Sequence, residues 1–356
     1  MRYYHNFLLA RTVSFLLLRT VSKCIAFTPA QSYSNILILD HLNINHEKGR
    51  HDLVKAFYFD FLQCGIDPRK ADNLIQGKKT LWANIGAQQL HLPEGNPDAQ
   101  ILNGKISLGF GNIMELIENY ENNDDLQLQL KGSEFQMDQV SDSEINVKDP
   151  WGNEFTIIST NEKKDERGVQ HGNSSLGINM KDITFYVPTD TNFAGIGRFY
   201  RKVFDTPIVT QDDDTCIVSM GPYQTLTFQG HPQGYADSTS FVDLREEPEK
   251  NPRNKPFYVS NYGPHISMYI KDIRSTYNRA KDLGVTYINP RFSRKAYTEK
   301  EVINDCMFRC LHIIDPENVN DGIILSLEHE VRSVVKSNGD LYKSCPFDTV
   351  QDGCVV

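Results

Sequence analysis

The sequence predicts an α+β protein made of four βαβββ units in series, and three observations carry that reading. The stretch 39–64, LDHLNINHEKGRHDLVKAFYFDFLQC, runs from an alternating strand through a charged loop into an amphipathic helix. A weaker copy, KDITFYVPTDTNFAGIGRFYRKVFDT, occupies 181–206. Its strand opens with Asp182 where the first has His41, and its helix carries Phe199-Tyr200 where the first carries Phe57-Tyr58. These landmarks recur at offsets of 141 and 142 residues, which marks an internal duplication. Finally, DPWGNEFTII at 149–158 is echoed at 315–327 by DPENVNDGIILSL, an Asp-Pro turn, a glycine and an apolar strand at an offset of 166.

The elements follow in order. Asn35–Asn45 is a strand anchored by Ile36, Ile38, Leu42 and Ile44. Asp52–Cys64 places Leu53, Val54, Phe57, Phe61 and Leu62 at helical spacing, and Gly65 ends the helix. Lys79–Leu92 gives two short strands about Gly86, closed by Pro93. Residues 36–94 therefore read β-α-β-β, with room for one more strand at 68–78. In the second unit Gly104–Phe110 is a strand, Ile113–Tyr120 a helix, and Leu126–Leu130 and Ile145–Val147 strands before the DPWG turn and its strand. The third unit spans Lys181–Gln229, with strands at Cys216–Met220 and Thr225–Phe228. A polar, proline-rich excursion fills 231–258. The fourth unit has a strand at Gly263–Ile270, a helix at Ile273–Leu283 ended by Gly284, and strands at Phe308–Ile314 and Gly322–Leu327. The two Phe-Tyr pairs read as core packing of the unit helices.

At 356 residues the chain is long enough for about two domains. It is 39% hydrophobic and 23% charged, the balance of a globular protein rather than a disordered one. Net charge is -9, and residues 1–26 carry Arg2, Arg11, Arg19 and Lys23 without an acid, so the remainder is more acidic still. That argues against nucleic-acid binding, which needs a basic face. Beyond the N-terminus no stretch is apolar enough to span a bilayer. Seven cysteines include no CxxC pair. Cys306 and Cys310 read as buried thiols. Cys345 and Cys354 flank a loop that a disulfide would close in an oxidising compartment.

Residues 1–35 read as a targeting presequence, with scattered positive charge and a short apolar run at Val13–Leu18. The step Ala26-Phe27-Thr28-Pro29 resembles the Phe-led cleavage motif of bipartite plastid presequences. A plastid address is therefore expected, with a secretory or mitochondrial one as the alternative.

The segments LDHLNIN with AFYFDFLQCG, WANIGAQQLHLPEG, DPWGNEF, GPHISMYIKD with KDLGV, and DPENVNDGIILSLEHE occur in an order that resembles the vicinal oxygen chelate superfamily. That superfamily holds glyoxalases, bleomycin- and fosfomycin-resistance proteins and extradiol dioxygenases. The resemblance covers 36–330 and implies two domains, 36–160 and 178–330, joined by a linker at 161–177 and followed by a tail at 331–356. Each domain would be an open, cup-shaped mixed sheet. Metal ligands would come from the first strand of each unit and from the last strand, since alternate strand residues share a face. A divalent ion there would polarise an oxygen-bearing substrate.

Carried over position by position, the resemblance implies a metal site in the second domain from Asp182, His265 and Glu328, with Ser326 as the alternative to Glu328. Gln229, Ser326 and Arg291 would touch substrate. Arg291 lies in a basic knot with Arg294 and Lys295. The first domain offers His41, Gln89 and His91, but Lys105 and Thr156 stand at its other ligand positions, so it reads as a remnant site. A Lys ammonium has no lone pair to give. Fe, Mn, Zn, Ni and Mg are equivalent at this level.

The function expected is a metal-dependent glyoxalase- or dioxygenase-like reaction on a small oxygenated molecule. The alternatives are metal-free binding of a small ligand, as in the resistance proteins, and a structural role in an organelle. P-loop, GxGxxG and GxSxG motifs are absent. Oligomeric state stays open.

Overall fold

The structure, a computed structural model, describes residues 34–77, 79–95, 98–167, 175–234, 264–289, 296 and 298–356. Residues 1–33, most of the 231–258 excursion, and Arg291, Arg294 and Lys295 lie outside these residues. Among the described residues no helix is long and apolar enough to cross a membrane.

The first unit holds β1 (Ile36–Asn43), α1 (His51–Val54, running on as a π-helix over Lys55–Phe61), β2 (Gly65–Ile66), α2 (Ala71–Gln76), β3 (Leu81–Ile85) and β4 (Gln88–Leu92). The second holds β5 (Gly104–Phe110), α3 (Met114–Glu121), α4 (Asp124–Leu130), β6 (Gln136–Ser141), β7 (Glu144–Lys148) and β8 (Glu154–Ser159). The third holds β9 (Gly177–Val187), α5 (Phe193–Phe204), β10 (Ile208–Gln211), β11 (Thr215–Ser219) and β12 (Thr225–Gly230). The fourth holds β13 (His265–Ile270), α6 (Ile273–Asp282), β14 (Thr286–Tyr287), α7 (Glu299–Asp305), β15 (Met307–Ile314) and β16 (Ile323–Ser333). The extra strand expected in the first unit is the two-residue β2, and 68–76 is helical instead.

The strand expected at Leu126–Leu130 is the helix α4. Its leucines alternate, which suits a strand. But Asn123 caps the segment by accepting from Leu126 N at 3.0 Å, and the buried pair Leu126 and Leu130 is one helical turn apart while Leu128 faces solvent.

Two eight-stranded sheets result, β14-β15-β16-β13-β1-β4-β3-β2 and β10-β11-β12-β9-β5-β8-β7-β6. The first unit therefore shares a sheet with the fourth, and the second with the third. The consecutive pairing implied by domains 36–160 and 178–330 is not how the strands join. Consecutive units meet through their helices instead. Phe57 of the first unit packs on Phe155 of β8 (centroids 5.4 Å apart), and Tyr58 Oη donates to Asp149 at 3.1 Å. In the other half Arg198 of α5 donates to both oxygens of Asp315, at 2.8 and 2.6 Å. The repeated Asp-Pro landmarks are thus buried turn carboxylates that anchor a neighbouring helix. Both Phe-Tyr pairs are fully buried, as expected.

The two sheets are clamped to each other by a reciprocal device. The pairing of β1 with β13 slips between Ile36 and Ile38 and again between Leu39 and His41, and the pairing of β9 with β5 slips at the matching places. Such bulges leave main-chain groups without ladder partners. Glutamines from the other sheet supply them. Leu39 N donates to Gln224 Oε1 at 3.1 Å and Gln224 Nε2 donates to Leu39 O at 3.0 Å, while Met180 N donates to Gln88 Oε1 at 3.0 Å. Beside each glutamine a glycine turn presses on the partner strand. A Cβ on Gly86, whose φ is +56°, would sit 1.9 Å from Ile178 O, and one on Gly221 would sit 2.5 Å from Leu37 O.

Gln88→Ala and Gln224→Ala are each expected to lower stability by about 1–3 kcal/mol, because each orphans a buried main-chain amide. Gly86→Ala is expected to cost more, since carbonyl and backbone must both shift. Urea unfolding of the three variants checks the order.

Candidate metal centre

The antiparallel pair β1 and β13 lies at the middle of the first sheet. His41 is opposite Ser267 and Asn43 opposite His265, so His41 and His265 occupy equivalent positions about a local two-fold. The flanking parallel strands repeat the relation: Asn43 is beside His91 on β4, and Ser267 beside Glu330 on β16. Side chains at these four positions point to one face. His41, His265 and Glu330 bring donor atoms within 4.8 Å of one another, all buried. His265 Nε2 is 3.8 Å from Glu330 Oε2. The His91 ring stacks on His41 at 3.6 Å.

Surrounding groups fix these side chains. Asp40 Oδ2 is 2.8 Å from His41 Nδ1, an arrangement the bulge at that point permits, and it leaves Nε2 with the lone pair. His91 Nε2 donates to Gln89 Oε1 at 2.8 Å, and Gln89 Nε2 donates to Asp67 and Asn84 at 2.8 and 2.7 Å. Burial, and then the neighbouring His41, hold His91 neutral well below the usual histidine range. Burial by itself would raise Glu330, but Arg309 and Arg332 outweigh it and keep the carboxylate ionised, with one guanidinium on each oxygen. Arg309 also pairs with Glu328, whose pKa burial raises. Two imidazoles and one carboxylate in a buried cluster suit a divalent ion in donor chemistry. The constraint on such a site is that Glu330 already meets two cations.

Several expected site residues fall elsewhere. Asp182 is in the other sheet, where it accepts from Thr184, Thr225 and Thr227 at 2.6–2.7 Å, so it does not meet His265. Glu328 shares a face with Glu330 but is held by Arg309 and Asn289. Ser326 faces His312, and Gln229 is exposed on β12 of the second sheet. Arg291 lies outside the described residues. Conversely His41, with Gln89 and His91 beside it, belongs to the cluster rather than to a separate remnant.

In the second sheet the equivalents of His41, His265, His91 and Glu330 are Asp182, Lys105, Thr227 and Thr156 by the same register. That set has one carboxylate and no imidazole. The sequence missed Glu330, Asp40, Trp82, Arg309 and Arg332. Aligning the β4 segment QQLHL with LEHEV would have matched His91 to Glu330.

A cavity of about 330 Å³ opens over the cluster. Its walls include Trp82, Arg69 and Lys70, and the tail closes its rim with Tyr342, Ser344 and Pro346. Tyr269 Oη fastens the tail by donating to Ser344 O at 2.6 Å. Cys345 and Cys354, a candidate disulfide by sequence, are free thiols that burial raises to about 12 and about 11.

Away from the cavity, His46 packs edge-on against His51 at 4.6 Å, and burial followed by His51 lowers its pKa to about 4. Between pH 6.5 and 4 the unfolded chain binds a proton that folded His46 refuses, so stability falls as pH falls through that window. The full loss is about 3 kcal/mol. His46→Gln should make the pH dependence of the urea midpoint shallower over that window by about one proton.

No protein-family model matches the chain, and no curated protein does. Among solved structures the chain is similar to glyoxalase I from Zea mays, at 11% identity over 83% of this chain and 92% of that chain, TM-score 0.46. It is also similar to a putative dioxygenase from Bacillus subtilis (10% identity, 84% and 86%, TM-score 0.47). A third is the cppA protein from Streptococcus pneumoniae (11% identity, 85% and 100%, TM-score 0.44). This chain's own architecture, four βαβββ units in two open mixed eight-stranded sheets, is the α+β fold class that the sequence predicts.

Proposed function

We propose that the cup of the first sheet is a divalent-metal site that acts on a small oxygenated molecule. One observation carries the reading: His41, His265 and Glu330 come from units at opposite ends of the chain and converge, buried, at two-fold-related positions. When bound, the ion would supply Lewis-acid polarisation of a substrate oxygen. The two imidazoles would give neutral nitrogen donors and Glu330 the anionic one. Asp40 would hold the His41 tautomer, and Arg309 and Arg332 would fix the Glu330 carboxylate. The tail would keep bulk water from the cup. Two histidines and one carboxylate is the set associated with iron-dependent oxygenases, so a dioxygenase-type reaction is favoured over a lyase.

Protein loaded with Fe(II), Mn(II), Zn(II) or Ni(II) and then desalted should retain about one equivalent of at least one metal. His41→Ala and His265→Ala should lose it, whereas Asp182→Asn should not. Mass-spectrometric metal analysis checks this, and a wild-type protein that retains none sinks the reading.

A second reading, metal-free binding, is favoured by the two guanidiniums already on Glu330. It expects a melting temperature indifferent to both chelator and added metal.

A further inference from the structure

We propose that the molecule this cup accepts is a small carboxylate, oriented by Lys70 with its acid group at the mouth and its opposite end on the His41–His265–Glu330 cluster. The inference deepens the proposed function. It rests on that reading for which end reacts, and not for how the acid is recognised.

The cavity is lined by three cations, Arg69, Lys70 and Arg332. Arg332 is committed to Glu330. Arg69 is committed to the buried Asp67, which takes its Nε and NH2 groups at 2.9 and 2.6 Å. Lys70 differs from both, because none of the described residues gives its ammonium a carboxylate within ion-pair distance. The Lys70 Nζ lies 4.3 Å from the centroid of the Trp82 ring. An aromatic face attracts an ammonium but leaves its N–H groups without an acceptor. The group is thus positioned at the cavity without being neutralised, which is what a site for an incoming anion requires.

The backbone at Lys70 is held by a capped turn. Lys70 ends the 3-10 turn Pro68–Lys70, which Asp67 caps by accepting from Arg69 N at 2.8 Å. Trp82, its platform, stacks on His91 at 4.4 Å with the planes 12° apart, and His91 stacks on His41 at 3.6 Å. Three contacts of 4.3, 4.4 and 3.6 Å therefore connect the ammonium to the first ligand of the cluster. They place the ammonium no more than about 12 Å from the His41 ring, and the cavity of about 330 Å³ holds a small acid. One uncommitted ammonium balances one negative charge, which favours a carboxylate over a phosphate dianion.

Benzoate and its neutral isostere benzamide are suitable probes. Isothermal titration of wild-type protein should find benzoate about tenfold tighter than benzamide, a difference of ~1.4 kcal/mol. Lys70→Gln should abolish the preference and leave metal content unchanged, and Lys70→Arg should restore most of it. Equal binding of the two probes, no binding of either, or a preference that survives Lys70→Gln overturns the proposal. Lys70-dependent preference in protein that binds no metal would sink the metal reading alone.

Discussion

Everything in this molecule hangs on how its two sheets grip each other's central strands. Strands β1 and β9 are both bulged, and an unsupported bulge in a buried strand would leave amides and carbonyls unpaired in the core at about 1–3 kcal/mol each. Each sheet answers the other's need with a glutamine and a glycine turn. The clamp also has a chemical outcome. The slip between Leu39 and His41 brings the Asp40 carboxylate to the His41 ring. A regular strand would send adjacent side chains to opposite faces.

The duplication left two similar floors with different chemistry. In the first sheet the four equivalent positions hold three imidazoles and a carboxylate. In the second they hold Lys105, Asp182 and two threonines. There the Asp182 carboxylate is saturated by three hydroxyl donors, and burial raises its pKa with those bonds only partly opposing. A cluster of imidazole and carboxylate donors in one half and none in the other follows from side-chain exchange on a shared register, with no change of fold.

Much of the fold was legible because it is local. The strand-helix opening of each unit, the glycine stops and the Asp-Pro turns are written in nearby residues, and they gave the unit count and the fold class. What the sequence hid is non-local or depends on counting. Nothing near Ile36 announces that its neighbour is β13, so in sequence consecutive units look paired and His41 looks separate from His265. The eleven-residue β16 carries Ser326, Glu328 and Glu330 on one face, and only the register to β13 decides among them. Asp182 kept the sequence position of a ligand while lying in the sheet that lacks the others. Trp82 and Lys70 look like ordinary strand and loop residues because their significance is in a stack assembled from four separate elements.

The union of the first and last units has a consequence for the birth of the protein. His41 leaves the ribosome 289 residues before Glu330, an interval of roughly 15–60 s at ordinary elongation rates. Until β13 has been made, one edge of β1 has no strand to pair with, and an open edge invites pairing with stray chains. For that interval the first sheet is half built and the His41–His265–Glu330 cluster is incomplete. Neither the finished strand order nor the His41–His265–Glu330 cluster can exist until β16 has been made.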